Sequence, residues 1–328
     1  MNQAKSIVIC GLWSILFTEF INAQEIAWHC GFQGFVDNRE YFNSVQTDGT
    51  YLGARISPQC VFRLLPAHAI TAGINYLYEF GSRWDRHLPR TLLYYRFQNP
   101  QSEFCIGAFP REKYLDYPLA LLSDTLMYFR PQIEGGLLNH RNDAGNVTIW
   151  LDWLSRQTTA RREAFCVGEN GRMACGHFFL SQFGVLNHYA LTRNSPPTEH
   201  IRDNGATVIQ AGCAGADVFK LDSLYFSLGV LASYDRWRHV SGWQTAAGWY
   251  TEGGADYRQW RLTVNFYHGQ RHQIMSGDRF YRAPTYGRAD LIFRALDSPK
   301  AKIAVTGSIH YIERRLDFSQ KLTVDVLL

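Results

Sequence analysis

The chain has 328 residues, of which 46% are hydrophobic, 15% aromatic and only 19% charged. Neither charge nor Pro, Gly or Ser content divides it into halves, so one domain is expected, and a net charge of +4 without a basic run excludes an electrostatic nucleic-acid interface. After the first residues no apolar stretch approaches the length of a membrane helix, while Gly 27, Tyr 18 and Phe 21 suit a glycine-tolerant, aromatic-girdled β-structure.

In chain order, the first element is a secretory signal over residues 1–23. Lys5 precedes an apolar run from Ile7 to Phe17, Glu19 interrupts its end, and Ile21-Asn22-Ala23 offers a cleavage point after Ala23. Cys10 sits behind Ile7-Val8-Ile9, which is not a lipidation signal. The expected mature domain, 24–328, begins in a strand near Ala27, with no separate plug domain or periplasmic repeat.

Period-two alternation runs through the rest. Ile70, Ala72, Ile74, Tyr76 and Tyr78 oppose Thr71, Gly73, Asn75 and Glu79, and Met127, Phe129 and Ile133 oppose Arg130, Gln132 and Glu134. Leu224, Phe226, Leu228 and Val230 oppose Tyr225, Ser227 and Gly229, and the pattern returns at Trp260–Tyr267, Ile303–Tyr311 and Leu322–Leu328. These runs approach the roughly 9–11 residues that cross a bilayer at a tilt, longer than the strands of a soluble sandwich.

Connections alternate in length. Tight turns are expected at 99–101, 169–171, 220–222, 253–256 and 297–300, and longer loops at 81–89, 110–124, 192–205 and 269–286. Short turns on one side and long loops on the other distinguish a transmembrane antiparallel up-and-down β-barrel from a sandwich, and the spacing gives about 16 strands, with about 14 as the alternative. Six cysteines remain after the signal, without CxxC or zinc-type spacing, so no metal or cofactor is expected; Cys30 with Cys60 and Cys166 with Cys175 are the pairs placed on adjacent strands.

The segments Phe35-Val36-Asp37-Asn38-Arg39-Glu40, Gly107-Ala108-Phe109-Pro110-Arg111, Tyr128-Phe129-Arg130-Pro131 with Glu134-Gly135, and Arg162-Glu163-Ala164-Phe165 with Gly168 resemble those of the porin-like outer-membrane barrels of Bacteroidota. That resemblance implies a barrel in the outer membrane of a Gram-negative bacterium, bedded in its lipid, and no catalytic set. One departure is the end, Val326-Leu327-Leu328, where such barrels carry an aromatic assembly signal.

Alternation turns a set of charges to the lumen: Glu79, Arg96, Arg111, Arg130, Glu134, Asp152, Arg156 and Glu163. On the lipid face an Arg costs roughly 2–4 kcal/mol near the midplane, so these residues either line an aqueous pore or pair in a polar core, with Arg130 beside Glu134 and Asp152 beside Arg156. The loop 269–286 offers Arg271, Arg279, Tyr281 and Arg282 for recognition, and the apolar loop 110–124 either tucks into the barrel mouth or docks another outer-membrane protein. A barrel-rim lipid or protein hydrolase would draw on His188, His177 or His310 with Ser308, but no hydrolase motif surrounds them. The sequence thus predicts a non-enzyme: a porin-like channel for small polar solutes, or a non-conducting subunit of a larger outer-membrane complex.

Overall fold

The computed structural model describes residues 25–83 and 88–328, with backbone alone at 217 and 218, so the signal-peptide expectation lies outside the described residues. Sixteen strands follow one another: β1 Glu25–Glu40, β2 Gly49–Leu65, β3 His68–Glu79, β4 Arg90–Gln98, β5 Ser102–Pro110, β6 Gln132–Asn142, β7 Gly145–Ser155 and β8 Ala164–Cys175. Then come β9 Phe178–Tyr189, β10 Arg202–Val218, β11 Leu221–Trp237, β12 Gln244–Tyr257, β13 Trp260–Gly269, β14 Thr285–Asp297, β15 Ala301–Ile312 and β16 Arg315–Leu327. Each pairs antiparallel with its sequence neighbours, and β1 closes on β16 from Gly31↔Leu327 to Glu40↔Phe318. Closure leaves no sheet edge, which is what permits strands to stand in hydrocarbon.

The alternation is physical. On β11 Phe226 is 55% exposed while its neighbour Ser227 is 2% exposed, and Leu228 and Val230 continue the outer face against buried Leu231. Exposed Trp28, Tyr257 and Trp260 gird the end that carries the short turns, and Trp153, Trp243 and Trp249 gird the end that carries the loops, as interfacial aromatics do.

Several expected boundaries move. Residues 169–171 lie inside β8 and 253–256 inside β12; the turns fall at Gly176-His177 and Arg258-Gln259. Met127 and Phe129 belong to a short helix, α1 (Thr125–Phe129), because the chain between β5 and β6 turns inward. Cys166 and Cys175 sit on one strand, β8, while Cys30 faces Pro58 and Cys60 faces Trp28, so neither expected pair meets and all six described cysteines are free.

Two loops fill the loop-end half of the lumen. Residues 111–131, with α1, and 270–284, with a 3-10 turn at Arg279–Arg282, place Leu115, Tyr117, Leu121, Ile274, Phe280 and Tyr281 against wall residues Phe109, Tyr250, Tyr267 and Tyr286. The wall is shaped for this: the Trp150 indole occupies the space a Cβ at Gly168 would need, and from there its Nε1–H donates to Tyr117 OH at 2.8 Å. Apolar loop residues thus find their partners inside the barrel.

Candidate functional site

Asp152 on β7 is the staple of the first loop. Its carboxylate, 1% exposed, accepts from the Arg111 guanidinium, 2% exposed, from Arg130 Nη2 at 3.3 Å and from the Glu134 backbone N–H at 3.1 Å. Arg111 Nε also donates to the Arg130 carbonyl at 3.0 Å, so both feet of the loop are held by one carboxylate. The second loop is tied to the first by Ser123 N–H to the Ser276 carbonyl, 2.8 Å, and Asp278 N–H to the Leu119 carbonyl, 2.9 Å.

Between α1 and the wall strands β1 and β2 lies a charged cluster. Tyr128 of α1 stacks on Phe35 with ring centroids 4.4 Å apart, donates to Asp37 Oδ2 at 3.0 Å, and has its carbonyl held by Arg55 Nη2 at 2.6 Å. Arg39 bridges Asp37 at 2.6 Å and Asp124 at 3.1 Å, and lies over the Tyr51 ring. Gln46 Nε2 donates to Asp278 Oδ1 at 3.2 Å. A cavity of about 310 Å³ abuts this cluster, lined by Arg39 and Arg279, by Ser123 and Thr125, and by apolar Leu126, Phe129 and Met275.

The two loop carboxylates are pushed apart. Burial works against ionising Asp124, but Arg39, Arg288 and Lys321 outweigh it and hold the carboxyl below its usual range. Burial, reinforced by the charge of Asp124, lifts Asp278 to about 7. Paired carboxyls with opposed shifts are how one site holds a base and an acid at neutral pH. A raised carboxyl destabilises the fold once it must ionise, so its contribution is favourable below the unfolded value and is lost as pH climbs from about 4 to about 7. Asp278→Asn, which keeps the acceptor for Gln46, should therefore raise the melting temperature at about pH 8 and leave it nearly unchanged at about pH 4, as read by heat-modifiability in micelles. An equal shift at both pH values would contradict the assignment.

The expected lumen charges do not form a ring. Arg111, Arg130 and Asp152 come together as the loop staple; Arg96 faces inward 3.9 Å from Glu103, and Glu79 lines a small cavity with Tyr128 and Phe129. Glu134 points outward, because the inward positions of β6 are taken by Ile133 and Leu137, and so it does not join Arg130. Arg156 is exposed and Glu163 half-buried, both in the connection after β7, so Arg156 does not pair with Asp152. Of the second loop, Arg271 is exposed and bridges Glu313 at 3.0 Å, Arg279 lines the cavity, Tyr281 is buried, and Arg282 is half-buried.

The expected histidine grouping of His310 with Ser308 does not form. His310 is 0% exposed, packed against Tyr41, Phe280 and Tyr286, and bonds Ser319 at 3.1 Å rather than Ser308. His188 faces outward onto Phe165 and Asp203, and His177 sits in a turn against the Ala214 carbonyl. The cluster of Asp37, Arg39, Asp124, Tyr128 and Asp278 was not expected as a site, although Asp37 and Arg39 stand in segment 35–40 and Tyr128 in segment 128–131, both of which carry the family resemblance; Ser123-Asp124 and Asp278 stand as polar residues in segments that otherwise pack as core.

Solved barrels share the fold. OmpT of Vibrio cholerae superposes with a TM-score of 0.59 at 8% identity over 93% of this chain and 99% of that one. OprD of Pseudomonas aeruginosa gives 0.57 at 10% over 93% and 95%, and an anion-selective porin from Comamonas acidovorans gives 0.55 at 8% over 93% and 100%. These likenesses support the porin-like outer-membrane barrel at the level of fold. No curated protein matches the chain. The sequence profile of a family described as lipid A 3′-O-deacylase-type matches residues 19–310. That match corrects the expectation of a non-enzyme, since the family is one of enzymes. With most of its length matched, the chain belongs to the lipid A 3′-O-deacylase-type family.

Proposed function

We propose that the protein is an outer-membrane hydrolase that removes an ester-linked acyl chain from an acylated glycolipid of the outer leaflet. The observation that carries this reading is the loop-end cavity, lined by two arginines and an apolar wall, with the carboxyls of Asp124 and Asp278, of opposed acidity, bonded to its lining residues Arg39 and Gln46. Arginines suit the phosphates of such a lipid, and Leu126, Phe129 and Met275 suit an acyl chain. In the proposed step water attacks the ester carbonyl and gives its proton to Asp124, the more accessible carboxylate with a side chain 23% exposed. The negative charge that builds on the carbonyl oxygen meets a guanidinium, that of Arg39 or Arg279. Asp278, protonated near neutrality and bonded to the Ser123 hydroxyl that lines the cavity, returns a proton to the departing sugar oxygen, releasing a free fatty acid and an alcohol.

Mass spectrometry of lipid A from Gram-negative cells displaying the folded barrel tests this. The expected product lacks one O-linked acyl chain; an unchanged acyl pattern from folded, surface-accessible protein would overturn the reading. A channel for small polar solutes needs passage through the half of the lumen where Leu121, Tyr250, Tyr281 and Tyr286 pack out of water, and a docking subunit needs the apolar loop that packs inside instead. Both are weaker readings for that reason, and single-channel recording should give no steps.

A further inference from the structure

The turn-end half of the lumen holds a larger cavity, of about 870 Å³. Residues 116–119 of the inward loop roof it, and it extends to His177 and Ser223 beside the turns. Its wall keeps hydrogen-bonding groups unused. Gln210 is 4% exposed; its Nε2 has the Glu252 carboxylate beside it but completes no well-formed hydrogen bond, and its Oε1 accepts only from Ser181 at 3.4 Å. Asn265 Oδ1, on the same wall, is likewise buried and without a hydrogen bond. Each such group costs about 1–3 kcal/mol when left unmade. A donor and an acceptor held open around a preformed space of ligand size mark a binding site rather than packing.

Charge narrows the ligand. Glu252 already accepts from Tyr225 OH at 3.1 Å and Tyr250 OH at 3.3 Å, and Asp290 is paired with Arg288 at 2.7 Å, so the acids are satisfied. With Asp290 answered by Arg288, the two arginines Arg172 and Arg261 oppose the two acids Asp116 and Glu252, which leaves no field of one sign to favour an ion. Phe179 and Tyr225 add flat apolar faces.

We propose that this cavity binds a neutral polyhydroxylated ligand, a short saccharide, entering from the turn end, which faces the periplasm in barrels of this kind. Adjacent hydroxyls accept from Gln210 Nε2 and donate to Asn265 Oδ1, while the C–H face of a pyranose lies on the aromatic rings. An acyl chain would leave both amides unpaired, the situation in which polar sites reject apolar analogues most strongly. The inference is independent of the hydrolase reading, whose site is at the other end of the lumen.

Titration calorimetry on the full barrel in detergent micelles, with maltotriose and triacetylchitotriose as probes, tests it. One or both should bind with a submillimolar Kd, and the double variant Gln210→Leu with Asn265→Leu should weaken that binding by about tenfold or more while remaining heat-modifiable. No heat from either neutral probe, equal binding by the double variant, or equal binding of trigalacturonate would each overturn the proposal, the first marking the cavity as a water-filled vestibule.

Discussion

Asp152→Ala should destabilise the barrel by about 3–5 kcal/mol, the cost of stranding a buried guanidinium. The Arg111 side chain is 2% exposed, and although it also reaches the Arg130 and Gln132 carbonyls, among the described residues only Asp152 balances its charge. Arg130→Ala should cost far less, since its side chain is 26% exposed and the Asp152 carboxylate keeps its buried partner Arg111. The test that separates charge from packing is the double replacement Arg111→Leu with Asp152→Leu, which removes both charges together and should recover much of the loss. Urea unfolding in micelles gives all three values. A cost for Asp152→Ala no larger than for Arg130→Ala would mean that the loop is not held at its feet. Because that loop carries Asp124 and α1, Asp152→Ala should also lower activity without touching the cavity.

How far the sequence discloses this depends on what each segment packs against. Strands with lipid on one side and lumen on the other have to alternate, so Leu224–Val230 and Ile70–Tyr78 are legible, and with them the barrel and its sixteen strands. Turn chemistry is less so. The hairpins at Phe219-Lys220 and Glu313-Arg314 use positive φ at both central residues without Gly or Asn, so the usual signature of a tight primed turn is missing. Gly253-Gly254 looks like a turn but lies in β12, where Gly254 leaves room for the Tyr225 ring. The inward charges were legible only as a face. Which of them meet depends on a loop that folds back into the lumen, and no period in Lys113–Asp124 encodes that return. Asp278 shows the limit most clearly: its acidity follows from burial and from Asp124, more than a hundred and fifty residues earlier in the chain, which only the closed barrel brings near.

Replacing Asp124 by Asn should abolish most deacylation, a fall of about 10²–10⁴ in kcat, while folding and heat-modifiability persist. The isosteric amide keeps a carbonyl oxygen for Arg39 Nη2 but cannot take a proton from water. Asp278→Asn should act differently, through the pH profile. If Asp278 supplies the proton to the leaving oxygen, wild-type kcat is flat below about pH 7 and falls above it as that acid is lost. The Asn variant should then be slow at every pH and lack that alkaline limb, even though it is more stable than wild type at the same alkaline pH. Activity and stability would move in opposite directions on one substitution, as expected where a site keeps a group in a protonation state that the fold alone would not choose. A wild-type profile that rises through neutrality would assign Asp278 as the base instead, and Asp124→Asn would then retain an alkaline limb that Asp278→Asn loses. The pair of profiles therefore fixes which carboxyl takes the proton and which one gives it.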